Sequence, residues 1–163
     1  MKKNYLIDGY NLGFKDPSIA DWLHKGNTER AIDLIVRRVR QSIEKAGQII
    51  VVFDGKKFSG TGGPAYSGIR VVFSRKPQSA DDIIREKLRS LPNASDWIVV
   101  SSDHEIINTA RDMGARIIRS EEFLKSSMKK TSVKNTMGTP DKYNPQNVNV
   151  DYWLEQFKNG EEE

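Results

Sequence analysis

Apolar residues in this chain fall in short runs separated by longer amphipathic stretches. Lys3 to Asp8, Gln48 to Phe53, Ile69 to Phe73, Trp97 to Val100 and Ala115 to Ile118 have the length and composition of strands. The run at Gln48 to Phe53 is continuously apolar over its last five residues, which marks a strand buried on both faces. Between the strands the period changes. Asn27-Thr28 can cap a helix running through Ala46, with Ile32, Ile35, Val36, Val39 and Ile43 on one stripe and Gly47 ending it. Gln78-Ser79 opens a second helix, with Ile83, Ile84, the Lys87 stem and Leu88 inward, closing near Leu91-Pro92. His104 to Met113, stopped by Gly114, and Glu121 to Met128 read as two more helices, and Gly9-Tyr10-Asn11 as a turn. This alternation predicts an α/β fold of three layers: a five-stranded parallel sheet with helices on both faces.

Two segments stand apart. Gly55 to Gly68 holds five glycines and Pro64, so it is expected to be a mobile loop, leaving from the same edge as Asp54. Lys130 to Asn149 is polar, with Pro140 and Pro145, and is followed by a short helical stretch through Tyr152, Trp153, Leu154 and Phe157. The expected organisation is a main domain over residues 1–130, and a polar excursion with a short C-terminal helix over 131–163 that packs on or extends it.

Against this framework the acids take a register. Asp8, Asp54, Asp81 and Asp103 each close or follow a strand run. The carboxyl ends of parallel strands share one edge, where ligand sites open, so these four should converge. Clustered carboxylates repel, and the usual remedy is a hard divalent cation. Three of the four also have a plainer explanation. Asp8 can cap the next turn, Ser79-Ala80-Asp81-Asp82 suits any helix start, and Ser101-Ser102-Asp103 can cap the following helix. Asn11 places a neutral oxygen and an amide beside Asp8. Asp81 and Asp82 lie about 100° apart on their helix. Asp81 falls on the inward side with Ile84 and Leu88, leaving Asp82 in support. If the fourth strand pairs with the first, Asp103 stands beside Asp8 at the topological switch point.

Composition narrows the classes. At 163 residues the chain fits one domain, with 37 % hydrophobic residues and no apolar run near the roughly 20 residues of a membrane span. Met1-Lys2-Lys3-Asn4 enters a strand too soon for a secretory signal, so a cytoplasmic protein is expected. The absence of cysteine excludes disulfides, thiolate metal sites and cysteine nucleophiles. The net charge is +4, although three of the acids are the terminal Glu161-Glu162-Glu163. Basic groups at Arg37-Arg38-Val39-Arg40, Lys56-Lys57, Arg75-Lys76 and Lys125 to Lys134 suit a polyanion, most simply nucleic acid, against the plain alternative of a lysine-rich surface. Gly60-Thr61-Gly62-Gly63-Pro64-Ala65 matches a dinucleotide pattern formally, but it leads into a strand and carries a proline. No nucleotide cofactor is expected. His24 and His104 lack zinc-site spacing.

Taken together, Leu6-Ile7-Asp8-Gly9-Tyr10-Asn11, Val52-Phe53-Asp54-Gly55, Ser79-Ala80-Asp81-Asp82 with Ile84, and Val100-Ser101-Ser102-Asp103 resemble, in order and spacing, the YacP-type NYN nucleases of the PIN-like group. The resemblance covers about residues 3–130. It implies a PIN-like fold, dependence on Mg²⁺ or Mn²⁺, and endoribonuclease activity. Carried over by position, Asp8, Asn11, Asp54, Asp81 and Asp103 are the catalytic candidates, the four aspartates being the metal ligands and Ser101 and Asp82 supporting them. One position departs from the pattern: the family's glutamate after Ile84 is Arg85 here, with Glu86 displaced by one. Arg85 is placed to pair with Asp81 or to touch a phosphate.

The expected chemistry is hydrolysis of RNA to 5′-phosphate and 3′-hydroxyl ends, with mRNA or rRNA turnover as the setting. Lys56, Lys57, Arg75 and Lys76 would contact the backbone, and Tyr10 or Phe58 would stack a base of a single-stranded region. Ribosome association and partner docking through 131–149 fit the same surface. A non-catalytic RNA- or ribosome-binding module is the alternative. A DNA nuclease of the same fold differs only in substrate. A phosphatase-like enzyme needs a second acid where Tyr10 stands.

Overall fold

A strand made of Leu6 and Ile7 flanked by polar ends has no exposed face to offer, and β1 (Asn4–Asp8) occupies the centre of the sheet. The computed structural model describes residues 2–55 and 66–126. Within them, β1 is followed by α1 (Gly9–Phe14), α2 (Pro17–His24), α3 (Thr28–Ser42), β2 (Ile49–Phe53), β3 (Arg70–Phe73), α4 (Ala80–Ser90), β4 (Trp97–Val100), α5 (His104–Met113), β5 (Arg116–Ile118) and a helix α6 over 120–126. The five strands are parallel in the order β3-β2-β1-β4-β5. The expected sheet is therefore present, and β4 does pair with β1, with Ile7 opposite Val100.

Alternation along the strands sorts the core into two layers. Ile7, Val51, Phe53 and Val100 pack with Leu12 of α1, Ile19 of α2, the Ile32–Ile35–Val36–Val39 stripe of α3, and Phe123 and Leu124. Leu6, Ile50, Val52 and Val99 face the other way, onto Ile84 and Leu88 of α4 and Ile106 and Ala110 of α5.

Two expectations need correction. Gly9-Tyr10-Asn11 is not a free turn but the first turn of α1, which buries Leu12 and Gly13. The next stretch, to which the apolar pattern assigns no element, forms α2. Its signal is local, since Asp16 accepts from Ser18 N at 3.0 Å and Pro17 stands at the first helical position; a tertiary ion pair from Arg38 of α3 to Asp16 at 2.7 Å adds to it. The second correction is that α3 stops at Ser42, not Ala46. Ile43 turns extended, and the following residues are drawn to the start of β1, with Gly47 N donating to Lys3 O at 3.0 Å and Gln48 N to Asn4 Oδ1 at 2.8 Å. Tertiary hydrogen bonds here displace a further helical turn. Among the described residues no helix is long and apolar enough to cross a membrane.

Candidate active site

The two-residue period of a strand decides where the first two acids go. Asp8 shares a face with Leu6, and Asp54 follows Val52 by two, so both project toward the α4–α5 layer. That layer begins at the same edge, α4 with Asp81 in its first turn and α5 with Asp103 as its N-cap. Residues from four separate strand ends meet there. Asp8 feels the charges of Asp103, Asp81 and Asp54.

Asp8 differs from the rest. It occupies the N-cap position of α1 yet makes no capping bond, so the capping explanation fails for it. Its one protein donor among the described residues is Ser101 Oγ, 2.9 Å from Oδ2. Ser101 is fully buried and itself accepts Asp103 N–H at 3.1 Å, which commits its proton to Asp8. Burial pushes the Asp8 carboxyl up to about 6; the Ser101 bond opposes this, and the three neighbouring carboxylates add to it.

The other acids are anchored by one oxygen each. Asp54 Oδ1 accepts from Ala80 N at the start of α4 (2.7 Å) and from the buried Ser74 Oγ (3.0 Å). Asp103 Oδ1 caps α5 through Glu105 N (2.8 Å) and Ile106 N (3.3 Å). Asp81 Oδ1 accepts from Arg85 Nε at 2.9 Å. Burial still holds the Asp81 carboxyl above its ordinary value, outweighing Arg85, with Asp103 and Glu105 adding to it. In Asp8, Asp54, Asp81 and Asp103 alike, the second carboxylate oxygen has no protein donor among the described residues. Asp82 is spent differently: it forms a capping box with Ser79 and also meets Arg85 Nη2 at 3.2 Å. The Ser79 bonds hold its carboxyl below the ordinary value.

Four carboxylates with free oxygens are the donor chemistry of a hard divalent ion. Among the described residues, however, no three acidic or histidine side chains stand as a ready-made ligand group. The register supplies a reason for Asp8 and Asp54. Asp8 pairs with Val52, so Asp54 sits two residues further along the neighbouring strand, roughly 7 Å beyond Asp8's level. The donors suit an ion that takes one or two carboxylates and completes its shell with water and phosphate, as Mg²⁺ commonly does.

Asn11 is held by its oxygen. Oδ1 accepts from Ser102 N (2.9 Å) and Ser120 Oγ (2.7 Å), and the backbone donor fixes which end of the amide is which. Its amide nitrogen, with no partner among the described residues, is the group it can offer a ligand. Ser102 Oγ in turn donates to Glu121, whose carboxyl this bond holds below its ordinary value, and Lys15 lies 4.0 Å from Glu121. Tyr10 packs edge-on against Phe53, with centroids 4.9 Å apart, so its half-buried ring has limited freedom to stack on a base. Arg75 and Lys76 are exposed on the loop after β3, at the same edge. Lys56, Lys57, Phe58 and 131–163 lie outside the described residues.

Sequence reasoning assigned no site role to Ser74, Ser102, Ser120 or Glu121. Ser74 was detectable, since a small hydroxyl follows β3 just as Ser101 follows β4. Ser101 yields a direct test. Ser101→Ala removes the donor that lowers the Asp8 titration, so the Asp8 midpoint, read by carboxyl ¹³C NMR, should rise above about 6. The lost bond to a charged group should cost on the order of 2 kcal/mol of stability at pH 8. An unmoved midpoint would show that the hydroxyl does not hold the carboxylate.

The fold has solved counterparts. It is similar to the crystal structure of Rae1 (YacP) from Bacillus subtilis, with a TM-score of 0.63 and 21 % identity over 97 % of this chain and 88 % of that one. A tryptophan-to-leucine mutant of the same protein aligns with a TM-score of 0.66 and 24 % identity, covering 82 % of this chain and 79 % of that one. No curated protein matches the chain. The model of the YacP-like NYN domain matches residues 5–159, nearly the whole sequence. The chain belongs to the YacP-like NYN domain family, a nuclease-like, RNA-related group.

Proposed function

We propose that this protein is a metal-dependent endoribonuclease, acting in the cytoplasm on single-stranded regions of RNA and using Mg²⁺ or Mn²⁺. The observation that carries the reading is Asp8: a half-buried carboxylate that caps nothing, faces three other carboxylates and keeps one oxygen free at the carboxyl edge of the sheet. A group held in so unfavourable a place suggests a use for its charge. Asp8 and Asp103 would hold the ion, with Asp54 and Asp81 flanking it. A bound divalent ion would supply an activated water and offset charge building on the phosphate.

The protein's own groups do the rest. Ser101 Oγ donates to the Asp8 carboxylate and accepts the Asp103 N–H, which would keep the two acids in register. The Asn11 amide nitrogen, with its oxygen already bonded, is available to a phosphate oxygen. Arg75 and Lys76 would attract the backbone to this edge, and Lys56 and Lys57, close after Asp54 in sequence, would add their charge to that attraction. Cleavage would leave 5′-phosphate and 3′-hydroxyl ends.

The test is incubation of end-labelled single-stranded RNA with Mn²⁺, with Mg²⁺ and with EDTA, comparing wild type with Asp103→Asn. Cuts that need the ion and fall by about 100-fold in the variant would support the reading. RNA bound equally well by both proteins and cut by neither would favour a binding module, including one that acts on the ribosome.

A further inference from the structure

Compensation of charge in the acidic site is uneven. Among the described residues Asp81 is the one of the four principal aspartates that carries an ion pair, and its partner is Arg85. Arg85 stands one turn further along α4, with its side chain about a quarter exposed (26 %). Its Nε lies 2.9 Å from Asp81 Oδ1, and its Nη2 lies 3.2 Å from Asp82 Oδ1 and 3.7 Å from Glu105 Oε1 on α5. One guanidinium therefore bridges three carboxylates and ties the starts of α4 and α5 together. The carboxylates raise its pKa, so its charge is permanent. Its Nη1 has no protein partner among the described residues.

A centre that binds two divalent ions needs uncompensated carboxylates on both sides. Here one flank already holds a cation. Resting on the metal-dependent reading above, we propose that Arg85 is a tethered second cation: it occupies the charge-compensating place beside Asp81, and the centre binds one divalent ion on the Asp8–Asp103 side. Arg85 is then a positioning residue for Asp81, and Nη1 is a donor left for substrate phosphate where a second ion would otherwise serve.

The test counts ions without reference to activity. The full-length protein is titrated with Mn²⁺ at pH 7.5, and free Mn²⁺ is followed by electron paramagnetic resonance. Wild type should bind one ion and Arg85→Gln two, the second within about tenfold of the first in affinity, while Arg85→Lys, which keeps the charge, should stay at one. Melting temperatures within a few degrees of wild type would show that the variants are folded, as expected for a partly exposed residue. Two ions in wild type or Arg85→Lys, or one in Arg85→Gln, would overturn the proposal while leaving the metal-dependent reading intact. No ion in wild type would remove both.

Discussion

Asp8→Asn should make the protein more stable at pH 8 while reducing RNA cleavage by about 100-fold or more. Both effects come from one carboxylate. In the folded chain Asp8 keeps its proton up to about 6, against 3.8 ordinarily. Between those values the folded state binds more protons than the unfolded one, so stability falls as pH rises through this window, and the loss is complete above it. At about 1.4 kcal/mol per pH unit, the penalty is on the order of 3 kcal/mol. Asparagine escapes it, and its carbonyl can still accept from Ser101 Oγ. Thermal melts without metal should show the variant higher by roughly 6–12 °C at pH 8 and level with wild type below pH 4. Equal melting temperatures at pH 8 would mean that Asp8 is not the strained group described here. Retained cleavage would remove it from the chemistry.

Gly9→Ala should be the costliest single-methyl change next to the site. A Cβ at Gly9 would lie 2.3 Å from Cε1 of Phe53, and within 2.8 Å of two more of its ring carbons. Phe53 cannot easily yield. It is fully buried, with Tyr10 edge-on at 4.9 Å and Phe73 stacked at 5.7 Å. Overpacking of this kind costs roughly 2–3 kcal/mol, and any shift of Phe53 moves Asp54, the next residue. The comparison is Gly114→Ala. Gly114 closes α5 at φ 87°, with nothing within 4 Å of its would-be Cβ, so only backbone strain of about 1 kcal/mol applies. Urea denaturation of the two variants separates steric from conformational cost. If Gly9→Ala loses no more than Gly114→Ala, the ring contact is not what requires glycine. The glycine after Asp8 is thus explained by packing against β2.

Much of the architecture was legible because it rests on local periods. Short continuous apolar runs, and the α3 stripe Ile32–Ile35–Val36–Val39, can form only elements that bury those residues, and strand–helix alternation leaves few arrangements besides a parallel sheet. The acids were legible for the same reason: each follows a strand, and strand ends in such a sheet share an edge. Where the local signal competed with distant partners, the distant partners decided. The end of α3 was set by Lys3 and Asn4, far off in sequence. The short α1 takes its stability from packing on β2, α2 and α3, which its own sequence does not announce.

The site divides in the same way. By itself the sequence determined that Asp8, Asp54, Asp81 and Asp103 gather at one edge, because pleat and helix period dictate direction. Only the tertiary structure decided how each is used. Asp103 both caps α5 and stands beside Asp8; Asp82 is taken up by Ser79; Asn11 has its oxygen occupied by Ser102 and Ser120, 91 and 109 residues away. Asp8 is left half-buried, uncapped and facing like charges. A carboxylate looks the same in sequence whatever surrounds it; its burial and its hydrogen-bond donors come from segments that meet only when the sheet closes around it.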